Sequence, residues 1–113
     1  LWVKNRALEY QQVSEHCARL LPPGTWVGSV EFAGAMRIYT PALVPFVPVR
    51  AYGPELVDHA LAQGHPVALL IEPWNRTQRD ILRILSKHPH TQLHKFPLWG
   101  GVELIALGPS GAR

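Results

Sequence analysis

Sulphur chemistry and long apolar runs are almost absent from this chain. Cys17 is the only cysteine in 113 residues, which excludes an internal disulfide and any metal cluster built from cysteines. No apolar run reaches the roughly 18 residues of a membrane-spanning helix, and no signal peptide is recognisable. The net charge of +3 is too small to indicate nucleic acid as a partner. We therefore expect a single globular domain over residues 1–113.

The most informative segment is a short apolar run in the second half of the chain. Val67–Ile71 contains five consecutive apolar residues, with Gly64 before it and Pro73 after it. A run of this length between two breaking residues is typical of a strand that is buried on both faces. Such a strand belongs to a sheet that is covered by helices. The sequence therefore predicts an α/β fold.

Apolar spacing and breaking residues predict nine elements in the order α-β-α-β-α-β-α-β-β. The predicted helices cover residues 5–21, 32–39, 53–64 and 76–87, and the predicted strands cover 25–31, 44–50, 67–71, 91–96 and 102–107. Residues expected to face the core from the first and last helices are Leu8, Tyr10, Val13, Cys17, Leu20, Leu21, Ile81, Leu82, Ile84 and Leu85. Pro45 and Pro48 remove two ladder donors from the second strand, which predicts an edge position. The expected fold is a three-layer α/β sandwich whose mostly parallel sheet ends in an antiparallel hairpin.

Polar residues follow the first three predicted strands, where ligands bind in open α/β sheets. The candidate ligand edge consists of Ser29, Glu31, Arg50, Glu72 and Asn75. Glu31 and Glu72 can form a carboxylate pair for acid–base chemistry. The alternative is that both are strand-end residues in water, or are paired with Arg37 or Arg76. Residues 29–34 lack the glycine pattern that binds a dinucleotide pyrophosphate, so no cofactor is expected.

A basic face is predicted on the last helix. Arg76, Arg79, Arg83 and Lys87 are separated by three or four residues, which places them on one side of a helix. Such a stripe can contact anionic lipid headgroups or phosphate. The alternative is an ordinary solvated face opposite the buried residues of that helix.

The six histidines do not predict a metal site. His90 and His94 would lie about 13 Å apart on one strand face, too far for a single ion. No carboxylate is adjacent to them in the sequence. Ser29 has no neighbouring histidine and no flanking glycine pattern, so nothing supports a hydrolase triad.

Three segments carry a family resemblance. They are Leu20–Ser29 (LLPPGTWVGS), Arg37–Thr40 (RIYT) and Gly64–Glu72 (GHPVALLIE). In this order the chain resembles the C-terminal soluble domain of bacterial multi-spanning glycosyltransferases of the protein O-mannosyltransferase and aminoarabinose-transferase type. These enzymes use polyprenyl-phosphate sugars as donors. The resemblance covers nearly the whole chain, and it lies in the order and texture of the segments rather than in one invariant motif.

The resemblance implies a non-catalytic domain on the extracytoplasmic (periplasmic) side of the cell membrane. The family's catalytic acidic residues lie in loops between N-terminal transmembrane helices, and no residue of this chain matches them. The implied partners are the transmembrane portion of the same polypeptide and either a glycan acceptor or anionic lipid. Leu1-Trp2-Val3 looks like the end of such a membrane helix. Lys4 and Arg6 depart from this placement, because basic residues favour the cytoplasmic side.

Two other functional classes remain open from the sequence. The chain can be a free-standing small α/β enzyme or nucleotide-binding domain that uses Glu31, Glu72 and Asn75. It can also be a basic interaction module that works through residues 76–87. The hypothesis that the domain follows a membrane helix also predicts that this basic face lies along the surface of the lipid headgroups.

Overall fold

The computed structural model describes residues 6–48, 52–73, 78–97 and 101–108. Within these ranges the predicted element order is confirmed. The helices are α1 (Arg6–Leu20), α2 (Ala33–Tyr39), α3 (Tyr52–Ala62) and α4 (Gln78–Leu85). The strands are β1 (Trp26–Gly28), β2 (Val44–Phe46), β3 (Val67–Ile71), β4 (His90–Phe96) and β5 (Val102–Leu107).

The described strands form one mixed five-stranded sheet in the order β2-β1-β3-β5-β4. β1 pairs in parallel with β2 and with β3. β5 is antiparallel to β3 and to β4, so the chain ends in the predicted antiparallel hairpin. The α/β class is therefore confirmed, with a sheet that has both parallel and antiparallel pairings. β2 lies at one edge, as its prolines predict, because an edge strand can leave backbone donors missing.

β3 lies at the centre of the sheet, and all five of its residues are buried. Ala68 and Leu70 pack into one apolar cluster with residues of α1 and α2, including Val13 and Met36. Val67, Leu69 and Ile71 pack into a second cluster on the other face, with residues of α3 and α4. The alternation follows from the period of two in a strand. The prediction that this strand is buried on both faces is confirmed.

The inward face of α1 is narrower than predicted. Val13, Cys17 and Leu21 are buried at spacings of four, whereas Leu8 is 48% exposed and Leu20 is 43% exposed. Leu8 lies about 140° around the helix from Val13, which directs it away from the core. Burial also raises the pKa of the Cys17 thiol to about 12, so this cysteine packs as an uncharged core residue.

α4 ends at Leu85, two residues before the predicted end at Lys87, and one of its residues was assigned to the wrong face. Ile81, Ile84 and Leu85 are buried, but Leu82 is 50% exposed. The three buried residues span about 100° of the helix, and Leu82 lies roughly 60° outside that arc. The exposed side of α4 therefore presents a leucine as well as its charges.

Two strands are also shorter than predicted. β1 ends at Gly28 instead of Glu31, and β2 ends at Phe46, while Arg50 lies outside the described residues. Gly28 allows the centre of the sheet to pack closely, since a Cβ there would lie 2.6 Å from Leu69 Cδ2. The Ser29 N–H still donates to the Phe46 carbonyl of β2 at 3.0 Å, and after Ser29 the backbone enters the loop that forms the candidate site.

Candidate functional site at the carboxyl edge of the sheet

Ser29 and Glu72 are brought together by the pairing of two parallel strands. Ser29 follows β1 and Glu72 follows β3, so both lie at the carboxyl edge of the sheet. The Ser29 hydroxyl donates a hydrogen bond to Glu72 Oε2 over 2.6 Å. These two residues of the candidate ligand edge are therefore in direct contact. Glu31 is the third expected member of this edge that the structure describes. The remaining two, Arg50 and Asn75, lie outside the described residues.

The loop after β1 folds around the Glu72 carboxylate. The backbone N–H of Val30 donates to Oε1 at 3.3 Å, and the N–H of Glu31 donates to Oε2 at 3.2 Å and to Oε1 at 3.3 Å. Ser29 Oγ also accepts the N–H of Phe32 at 2.8 Å. Because these donors are used by Glu72 and Ser29, they do not extend the β1 ladder. This explains why β1 is shorter than the apolar pattern predicts.

Glu72 is wholly buried, so the alternative that it is a strand-end residue in water is wrong. Burial raises its pKa above the usual value of 4.5, and the nearby Glu31 charge acts in the same direction. The hydrogen bonds from Ser29, Glu31 and Val30 oppose this shift because they stabilise the ionised form. Desolvation is the largest of these effects, so Glu72 holds a proton to a higher pH than a free carboxyl.

The Ser29–Glu72 hydrogen bond resembles the contact between a nucleophile and its base, but its surroundings do not suit catalysis. Both side chains are 0% exposed. Ser29 Oγ is engaged with Glu72 on one side and with the Phe32 N–H on the other. An activated nucleophile must be within reach of a substrate carbon or phosphorus atom. In this geometry the pair holds the loop in place.

Glu31 is half-buried and has a different partner for its side chain. The Tyr10 hydroxyl lies 3.5 Å from Glu31 Oε2, and the Tyr10 ring meets the Phe32 ring edge-on at 5.4 Å. Glu31 therefore meets Glu72 through its backbone N–H, while its carboxylate turns towards α1. The expected carboxylates are neighbours, but they do not form a pair that shares a proton. These contacts place the first half of α1 at the carboxyl edge.

The basic residues of α4 do not belong to this cluster. Arg79 and Arg83 are exposed on α4, and Lys87 is exposed just beyond it. Arg76 lies outside the described residues. α4 runs back from the carboxyl end of β3 to the start of β4, so its charges are spread along the depth of the sheet rather than gathered at the ligand edge.

Two histidine contacts were not predicted from the sequence. His88 Nε2 lies 3.3 Å from a carboxylate oxygen of Asp58, a residue of α3 that is distant from His88 in the sequence. The His16 and His94 rings lie 4.2 Å apart between α1 and β4. No local spacing could signal this contact, because the two residues are far apart in the chain. Among the described residues, no group of three or more His, Cys, Asp or Glu side chains is arranged to hold a metal ion.

Comparison of the chain with family models, with curated proteins and with solved structures gives no match. In the part of the chain that the structure describes, no helix is both long and apolar enough to cross a bilayer. A function must therefore be inferred from two features. One is the carboxyl edge, whose polar groups are hydrogen-bonded to one another, and the other is the exposed surface of each of the helices α1 and α4.

Proposed function

We propose that this chain is a non-catalytic soluble domain of a membrane-bound glycosyltransferase that uses polyprenyl-phosphate sugars. The domain lies on the extracytoplasmic side of the membrane, beside the transmembrane portion of the same polypeptide. Its architecture is a three-layer sandwich, with α1 and α2 on one face and α3 and α4 on the other. Sugar transfer takes place in the membrane portion, and this domain supports the shape of the enzyme or holds its acceptor.

The observation that carries the proposal is the closed carboxyl edge. In nucleotide-binding α/β domains, free N–H groups after the first strand bind the phosphates. Here the N–H groups of Val30 and Glu31 bind Glu72 instead. An anionic ligand would have to displace a buried carboxylate, which would then lose its donors at a large cost in free energy. This favours a structural role over the nucleotide-binding alternative.

The position of the resembling segments gives further support. Leu20–Ser29 contains β1, and Gly64–Glu72 contains β3. Ser29 and Glu72, the last residues of these two segments, are hydrogen-bonded partners. A resemblance in both segments therefore concerns one structural unit, which is the closed edge, rather than two unrelated stretches of sequence.

A second candidate is an interaction module for anionic surfaces. The exposed side of α4 carries Arg79 and Arg83, and Leu82 between them is 50% exposed. A leucine among basic residues is a pattern that favours the boundary between headgroups and acyl chains. This role is compatible with the first proposal, because a domain attached to a membrane protein stays near the bilayer.

The test of the non-catalytic role is an activity assay on the purified domain. We expect no turnover with polyprenyl-phosphate sugars, sugar phosphates or nucleotides, since the candidate nucleophile and base are buried. Glu72→Gln is the matched variant, because glutamine keeps an oxygen acceptor for the loop N–H groups. Saturable turnover by the unmodified domain that Glu72→Gln abolishes would contradict the proposal.

The family assignment is tested separately by the gene sequence that precedes Leu1. The proposal expects roughly ten or more hydrophobic spans, each of about 20 residues. A gene that encodes an initiator methionine directly before this domain, without such spans, rules out the glycosyltransferase assignment. Neither outcome of the gene comparison would change the expected absence of turnover in the isolated domain.

A further inference from the structure

Three aromatic rings join α1 to the edge strand β4. The His16 ring on α1 lies 4.2 Å from the His94 ring on β4, with 36° between their planes. The Phe96 ring meets both of them edge-on, at 5.3 Å from His16 and 4.6 Å from His94. Phe96 belongs to the buried cluster that contains Val13 and Cys17. The two histidines thus continue the core contact of α1 outwards to the sheet edge.

The protonation state of His16 follows from its neighbour on the next turn. Arg19 Nη2 lies 3.1 Å from His16 Nδ1. A guanidinium group has only donors, so Nδ1 must be the acceptor in this contact. This contact therefore requires a neutral His16 with its proton on Nε2. Protonation of Nδ1 would remove the hydrogen bond and place the imidazolium against the guanidinium.

The cationic neighbour of His16 on α1, Arg19, favours the neutral form of the ring. The Glu15 carboxylate acts in the opposite direction, but it accepts a hydrogen bond from the Gln11 amide at 3.1 Å. On β4 the facing group is His94. Lys95 is paired with Glu103 in the strand register and points to the opposite face of the sheet. Burial is the main cause that lowers the pKa of His16 from 6.5, and His94 and Arg19 lower it further.

Water reaches this contact through an open groove. The groove has a volume of about 420 Å³ and is lined by Gln12, Val13, Glu15, His16, Arg19 and Phe96. Protons can therefore exchange with His16 without unfolding of the domain. A ring contact that is half-buried, neutral and open to solvent at one side is suited to respond to pH.

We propose that the His16–His94 contact is an acid-sensitive latch that holds α1 against β4 and loosens when His16 is protonated. The direction of this pH effect follows from the coupling between proton binding by His16 and opening of the contact. His16 takes up a proton less readily in the closed contact than in the open one, where its pKa approaches 6.5. The closed contact is therefore fully stable above pH 6.5 and loses stability as the pH falls below this value. Once the pH is below both pKa values, opening increases about tenfold for each unit by which they differ.

The experiment combines a ring titration with amide exchange on the whole domain. The histidine rings are followed by NMR between about pH 8 and pH 4.5, which extends roughly 1.5 units above and 2 units below the pKa of a free histidine. We expect His16 to titrate below 6.5, the usual pKa of a histidine. We also expect amide exchange in α1 and β4, corrected for intrinsic rates, to rise as the pH falls below 6.5.

Two variants separate the latch from general acid destabilisation. His16→Phe keeps a ring against His94 and Phe96 but cannot titrate, so its α1 exchange should lose the pH dependence. His90→Gln removes an exposed histidine from the same strand and should behave like the unmodified domain. The proposal is overturned if His16 titrates at or above the usual histidine pKa of 6.5, or if His16→Phe retains the full acid response.

Discussion

At the scale of single residues, Glu72 shows that the role of a carboxylate depends on whether it is buried or exposed. The same side chain at the exposed end of a strand would be a solvated charge. At the end of β3 it is wholly buried and accepts hydrogen bonds from one hydroxyl and two backbone N–H groups. Ser29 connects this carboxylate to the Phe32 N–H just before α2. The residue therefore fixes the path of the chain between β1 and α2.

Two substitutions at Glu72 should separate the acceptor from the charge. Glu72→Gln keeps an acceptor oxygen, while Glu72→Ala leaves the Ser29 hydroxyl and the loop N–H groups without their partner. Each buried polar group left unsatisfied costs about 1–3 kcal/mol. We expect the Ala variant to lose at least about 2 kcal/mol more of its free energy of unfolding than the Gln variant. Urea denaturation at pH 7 measures the difference, and equal losses would show that these hydrogen bonds do not stabilise the loop.

The same two proteins should diverge with pH. The folded-state pKa of Glu72 is raised above 4.5, so the folded domain binds this proton more tightly than the unfolded chain. The proton on Glu72 therefore stabilises the folded domain fully below pH 4.5. This stabilisation is lost as the pH rises through the folded-state pKa of Glu72. The stability of the unmodified domain relative to Glu72→Gln should therefore fall with rising pH in this window. A difference that increases with pH would mean that the hydrogen bonds, rather than burial, dominate the pKa.

At the scale of elements, β3 and α4 offer a matched comparison of two leucines. Leu69 is 0% exposed at the centre of the sheet, whereas Leu82 is 50% exposed on α4. Leu69→Ala should cost about 2–5 kcal/mol through lost burial and the cavity that remains. Leu82→Ala should cost less than about 1 kcal/mol, because little apolar area is lost. Urea unfolding of both variants tests this, and similar losses would contradict the central position of β3.

The elements were largely predictable because their signals are local. Val67–Ile71 is a short apolar run between breakers, and the structure confirms both the strand and its burial. The end of β1 was not predictable, since it depends on hydrogen bonds from Val30 and Glu31 to Glu72, a residue on another strand. The face of Leu82 was missed for a similar reason. Periodicity shows that a helix has an apolar side, but the width of the buried side depends on what packs against it.

The sequence indicates where the candidate site lies, but not whether this edge of the sheet is open to a ligand or closed by internal hydrogen bonds. Strand order places Ser29, Glu31 and Glu72 at one edge, and this could be inferred from the sequence. Whether such an edge is open or closed depends on side-chain and loop geometry that apolar spacing does not encode. The His16–His94 contact could not be predicted at all, because the pairing of α1 with β4 is a tertiary contact between distant segments.

At the scale of the whole molecule, the proposed membrane setting predicts weak binding to anionic vesicles. Each basic residue near an anionic surface contributes about 1 kcal/mol, and salt screens this attraction within about 10 Å at 0.1 M. The domain should sediment with phosphatidylserine vesicles at low salt and dissociate as the salt concentration increases. The combined change Arg79→Glu and Arg83→Glu should abolish sedimentation without unfolding the domain, since both residues are exposed.

A charge-matched control distinguishes the α4 surface from net charge. Arg37 and Lys95 are also exposed, on α2 and β4. Arg37→Glu with Lys95→Glu changes the net charge by the same amount but leaves α4 intact, so it should retain most of the vesicle binding. If both double variants lose binding equally, only net charge matters. If the unmodified domain does not bind at low salt, α4 has an ordinary solvated face.

If the domain is attached to a membrane as proposed, the antiparallel course of its helices and parallel strands limits its orientation on the bilayer. The Tyr10 contacts with Glu31 and Phe32 place the start of α1 at the carboxyl edge, and α4 leaves the same edge in the same direction. At 1.5 Å per residue, Arg79 lies about 9 Å along this direction from Leu85, the last residue of α4, and Lys87 follows beyond it. A domain tethered through α1 would stand upright, with Arg79 near the headgroups and Lys87 about a Debye length further away. A domain lying on its side would present both residues at equal depth. The salt dependence of binding would then distinguish the two orientations, because each basic residue that contacts an anionic surface displaces about one salt ion. The upright domain should displace about one ion, through Arg79, and the reclining domain about three, through Arg79, Arg83 and Lys87.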